Sequence, residues 1–113
     1  FMRDGGYYIG IIHKTGHVLH EYELPEAGAY GHVSAAPDRP AIILDGNVTK
    51  DKLTWLYYDQ EEPSFETIAT HGTEWGCMPG QYTDPHPQAD PTGRWIADHV
   101  AKDKRSDSYA VTV

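Results

Sequence analysis

HVSAAPDRPAIILDG, residues 32–46, recurs in outline as HPQADPTGRWIADH, residues 86–99. Each copy opens on a histidine, has Ala three places on and Pro five places on, and then enters an apolar stretch. The histidines, His32 and His86, stand 54 residues apart. Pro-Asp-Arg-Pro (37–40) in the first copy and Asp-Pro-Thr-Gly (90–93) in the second mark a turn, and the runs on either side are short enough to be strands. Segments 32–36, 41–45, 53–59 and 64–70 then supply a four-stranded antiparallel unit before the second copy begins.

The rest of the chain has the same texture. YYIGIIH (7–13) and HVLHEYEL (17–24) flank Lys-Thr-Gly as a hairpin, and LTWLYYD (53–59) and SFETIAT (64–70) flank Gln-Glu-Glu-Pro as another. RWIADHV (94–100) and SYAVTV (108–113) are rich in β-branched and aromatic residues, with KDKRSD between them as a charged loop. ADHVAKDK is the only helical candidate, and it is short and uncapped. The expected fold is all-β: a β-propeller fragment of about two and a half four-stranded antiparallel blades, since propeller repeats run upward from about 40 residues. Residues 1–29 make a partial blade, 30–83 a full blade and 84–113 a second partial blade. The chain opens in mid-pattern at Phe1, as expected for a piece of something longer.

Composition narrows the partners. The 113 residues carry 17 acidic and 9 basic side chains, a formal charge of −8. Nucleic acid and an anionic membrane are thereby disfavoured, whereas an acidic small molecule is not, because a bound cation can invert a local field. With one cysteine, Cys77, no intrachain disulfide forms.

Chemistry concentrates in QYTDPHP, residues 81–87. On an extended backbone Asp84 and His86 share a face, with Cα atoms roughly 6.5–7 Å apart. Gln81 has the opposite parity and joins them only through a kink. Pro85 and Pro87 remove backbone donors, which suits an unpaired inner edge. His32, one repeat earlier, would reach the same channel. Two imidazoles, a carboxylate and an amide oxygen suit Mn²⁺ or another divalent ion better than a structural zinc site. The alternative is a polar loop whose histidine caps a turn. Elsewhere, His13, His17 and His20 read as hairpin residues, His71 as a structural group at a strand end and His99 as partly buried. Cys77 sits in a Gly-rich loop without a His–Asp arrangement to activate it. Trp55, Tyr57 and Tyr58 read as core or as a stacking surface for sugar. Arg94 is a candidate for gripping a carboxylate through its planar fork.

These stretches together resemble the oligogalacturonate lyases, seven-bladed β-propeller polysaccharide lyases acting on pectin fragments. HGTEWGCMPGQYTDPHPQADPTGRWIADH is similar to the family segment in which His, Ser/Thr and Trp precede a Gln-x-x-His-Pro-His-Pro run. GHVSAAPDRPAIILDG resembles its Ser-His segment, and FMRDGGYYIGII the strand after its His-Glu-Phe motif. The resemblance implies a Mn²⁺ site in which His32, Gln81 and His86 match three ligands, while Asp84 stands where the family has a histidine. It implies metal-dependent β-elimination of oligogalacturonides, a carbon–oxygen lyase reaction of carbohydrate metabolism. The catalytic histidine base and a substrate-binding arginine would precede Phe1, so this chain would supply metal ligands but not the base. The implied partners are an acidic oligosaccharide and the remainder of the propeller, or a second copy in its place. A cytoplasmic setting fits better than secretion. A non-catalytic sugar- or protein-binding propeller module is the alternative.

Overall fold

A computed structural model describes residues 2–24, 31–80 and 83–113. Among them are ten strands and no helix. The first antiparallel sheet joins β1 (Met2–Arg3), β2 (Gly6–Ile12) and β3 (Val18–Glu23). The second joins β4 (Val33–Ala35), β5 (Ala41–Leu44), β6 (Lys52–Tyr57) and β7 (Ser64–Thr70) in chain order. The third joins β8 (Gln88–Ala89), β9 (Trp95–Lys102) and β10 (Arg105–Thr112).

The patterning of β5 and β6 explains the arrangement. A strand covered on one face alternates apolar and polar residues, whereas one covered on both faces stays apolar throughout. β5 reads AIIL and is buried at every position. Ile42 and Leu44, with Leu56 from β6, pack against Ile9, Tyr22 and Leu24 of the first sheet region. Ala41 and Ile43, with Leu53 and Trp55, pack against Ile96 of the third. The second sheet therefore lies between the other two. β9, by contrast, alternates: Ile96 and Asp98 are buried while Trp95, Ala97 and His99 are exposed. Tyr57 packs beside Trp55, and Tyr58 packs on the other cluster, so these aromatics are core.

The 54-residue echo persists in the hydrogen-bonded register. Ser34 pairs with Ile43 and Ala35 with Ile42; Gln88 pairs with Ala97 and Ala89 with Ile96. Each member of the second set stands 54 places after its counterpart in the first. The turn closures match too, Ala36 N–H donating to Ala41 O and Asp90 N–H to Trp95 O, both at 2.9 Å. In the later turn the Asp90 carboxylate accepts the Thr92 hydroxyl and the N–H groups of Thr92, Arg94 and Trp95. Those bonds, the Thr92 hydroxyl foremost, hold its pKa down at about 2. The guanidinium of Arg39 links the two turns: it bonds Asp38 at 2.8 Å, lies over the Trp55 ring and donates to Gly93 O at 3.2 Å.

As the all-β reading expects, residues 97–102 of ADHVAKDK are strand. Two sequence expectations are corrected. KDKRSD is mostly not loop: Lys102 pairs with Arg105, and only Asp103 and Lys104 turn. Both have positive φ, 51° and 60°, the signature of a two-residue type I′ hairpin, whose twist matches the strands. His99 is exposed, because strand parity turns Asp98 inward in its place.

If packing between the second and third sheets carries the fold, Ile43→Ala will cost about 2–5 kcal/mol, the range for deleting a fully buried aliphatic side chain. Urea unfolding followed by far-UV circular dichroism checks this. A cost below about 1 kcal/mol is the size expected of an exposed site and would contradict that packing.

Candidate metal centre

The seam between the second and third sheets brings together residues far apart in sequence. His32 immediately precedes β4, and the Asp84-Pro85-His86-Pro87 segment leads into β8. Register places His32 beside Asp45, since the neighbouring residues Val33 and Leu44 are paired. Gly31 supplies the approach: its φ is +133°, and a Cβ there would collide with the Asn47 side chain. His86 has φ 48°, a left-handed conformation costly for a residue with a Cβ. Pro85 and Pro87, both fully buried, bracket it. Pro85 is nonetheless tied in through its carbonyl, which accepts the His99 N–H at 2.8 Å. The meeting of Asp84 and His86 thus arises from a left-handed bend and not from the extended backbone expected.

One ligating atom each from His32, Asp84 and His86 lies within 4.8 Å of the others. His32 Nε2 is 3.9 Å from Asp84 Oδ2, and the His32 and His86 ring centroids lie 3.8 Å apart with their planes tilted by 32°. Metal–ligand bonds of about 2.2 Å allow atoms on opposite sides of an ion to be about 4.4 Å apart. The three donors are thus spaced close to the separations that one cation imposes on its ligands. Two imidazole nitrogens and a carboxylate oxygen suit a divalent transition metal. Gln81, the fourth expected ligand, lies outside the described residues.

Beneath the cluster is Asp45, which is wholly buried. Its Oδ1 accepts the main-chain N–H of His32 at 2.5 Å, and its Oδ2 accepts that of His86 at 3.1 Å. Sequence reading gives Asp45 only the role of ending a strand at Asp-Gly; its position in register beside His32 was the available signal. His71, placed by the sequence in a structural role, donates from Nε2 to Asp45 O at 3.0 Å and accepts the Thr73 N–H on Nδ1. Both ring nitrogens are thereby occupied in the neutral form. Burial pushes the His71 pKa below 6.5. The Thr73 hydroxyl donates to Thr83 O at 2.8 Å and accepts the Ala101 N–H, fixing the chain next to Asp84.

The other candidates are elsewhere. Arg94 is exposed in the β8–β9 turn, its Nε donating to Thr92 at 3.2 Å. Three residues of chain separate His86 from Asp90, where that turn begins. His13 and His17 share Thr15 in the β2–β3 turn, and His20 stacks on Tyr22. His99 bonds Ser108 at 3.1 Å. Cys77 is a free, half-buried thiol.

No known protein-family model matches the chain, and comparison with curated proteins and with solved structures finds no match to it either.

The His71 environment predicts how stability varies with acid. Its folded pKa lies below 6.5, so under mild acid the unfolded chain takes up a proton that the folded chain refuses. Stability from this residue is complete above about pH 6.5 and declines as pH falls toward the folded value. Burial raises the pKa of Asp98 above 3.8, with the opposite sign: its penalty is present above the folded pKa and is relieved as pH falls through it. In urea titrations from pH 7.5 to 5, wild type should weaken more steeply than His71→Gln. Parallel slopes would refute a buried neutral His71.

Proposed function

We propose that this chain is part of a β-propeller of the oligogalacturonate-lyase type and that it binds an acidic oligosaccharide through a divalent cation. His32, Asp84 and His86, with Gln81, hold Mn²⁺ or a similar ion. The observation that carries this reading is the convergence, within 4.8 Å, of three ligating side chains from the segments that lead into two different sheets. The repeat supports the propeller: Ile42 and Ile96, 54 places apart, each pack toward the preceding sheet, as equivalent residues of successive blades would. On this reading the first sheet is a partial blade, the second a full blade and the third another partial blade.

In the family reaction, a bound cation neutralises the uronate carboxylate and so acidifies the neighbouring C5 proton. A histidine base removes that proton and the 4-linked oxygen departs, leaving an unsaturated sugar. Nothing in these 113 residues matches the family's base or its upstream arginine. The chain's own share is therefore cation and carboxylate binding. Asp84 favours a second reading, a binding module without turnover. A carboxylate in place of an imidazole keeps a donor but removes a unit of positive charge from the loaded site.

Calorimetric titration with MnCl₂ tests the core of the proposal. Wild type should take up one ion per chain, and His86→Ala should bind at least tenfold more weakly. Digalacturonate should then bind only when Mn²⁺ is present. Equal Mn²⁺ uptake by both proteins would remove His86 from the site, and sugar binding unaffected by chelator would remove the ion from recognition.

A further inference from the structure

We propose that Asp45 is the positioning residue of this metal centre: it fixes the spacing of the two histidine ligands and turns Nε2 of His32 toward the ion. The inference rests on the metal-binding reading above and adds a residue that touches neither ion nor sugar.

A carboxylate with no exposure is tolerated only when polar hydrogens replace its lost water. Asp45 finds them on the two residues whose side chains form the cluster. Each oxygen takes one main-chain N–H, that of His32 on Oδ1 and that of His86 on Oδ2. The sheet ladders cannot provide this link, because the His32 and His86 segments lead into different sheets with separate ladders. One planar carboxylate thus bridges the seam and sets how far apart the two ligands begin. The bond to His86 also offsets part of the cost of its left-handed backbone, which is not needed anywhere in a regular strand.

The same carboxylate divides the two nitrogens of the His32 ring. Nδ1 is buried, makes no hydrogen bond and faces Asp45 Oδ2 at 3.5 Å, while Nε2 faces Asp84 at 3.9 Å. In the neutral ring, a proton on Nδ1 is attracted to the carboxylate and leaves the Nε2 lone pair free on the side of Asp84 and His86. Carboxylate–histidine–metal arrangements of this kind orient the ring and strengthen it as a ligand. His71 completes the support by donating to the Asp45 carbonyl, so the main chain that carries the carboxylate is itself fixed.

Asp45→Asn is the direct test, because an amide retains the shape but offers one acceptor oxygen where two are used. Mn²⁺ affinity should fall about 10- to 100-fold, the usual effect of removing such a supporting group. Circular dichroism on the same samples reports whether the fold is kept. If the variant does not fold, the metal-free wild type still decides the matter by long-range ¹H–¹⁵N correlation spectroscopy: His32 should carry its proton on Nδ1. Its amide and that of His86 should also exchange slowly with solvent deuterium. Wild-type Mn²⁺ affinity in a folded Asp45→Asn, or a His32 proton on Nε2, would overturn the positioning role while leaving the metal centre intact. Failure of the wild-type chain to take up Mn²⁺ would sink the centre and the positioning role together.

Discussion

Ile43 and Leu44 are successive residues of one strand, face opposite ways, and are both completely buried. That double coverage of β5 is the constraint from which the rest follows. A four-residue strand with no solvent-facing side can exist only between two other layers, so the second sheet must be flanked by the first and third. Once the third sheet docks through Ile96, the chain segments before β4 and β8 are brought side by side. The candidate metal centre is a product of that docking and not of any local motif.

Electrostatics at the seam follows from the same geometry. Asp84 and Asp45 place two carboxylates beside the paired imidazoles, in a chain whose formal charge is −8. A divalent cation there would just balance the two carboxylates. The surroundings thus favour capture of a cation.

Much of the architecture was legible in the sequence, for identifiable reasons. Strands bounded by Asp-Gly, Pro or Thr-Gly announce themselves, and the echo of 32–46 in 86–99 survives as an identical pairing register. What escaped depends on backbone sign and on tertiary parity. Asp103 and Lys104 are not the Asn-Gly usually expected of a type I′ turn, so their hairpin passed for a charged loop. His99 and Asp98 exchange their expected burial because only docking decides which parity of β9 faces inward. Asp84 and His86 were readable as a pair, but through the wrong backbone, since a left-handed residue between two prolines has no compositional mark. Asp45 was hidden for a plainer reason. An aspartate before glycine looks like a turn, and the two N–H donors that its carboxylate accepts come from residues 13 positions before it and 41 after it.

Trp95 occupies the place in its strand that Ala41 occupies 54 residues earlier. Ala41 is 1% exposed beneath the third sheet, whereas Trp95 is 48% exposed on the outward face. Trp55 is buried and Trp75 donates its indole N–H to Lys50 O, so the outward face carries the most water-exposed indole among the described residues. The molecule consequently contains its own optical reporter. Whatever covers that face, whether further chain or another copy, displaces water from one particular fluorophore and shifts its emission to the blue.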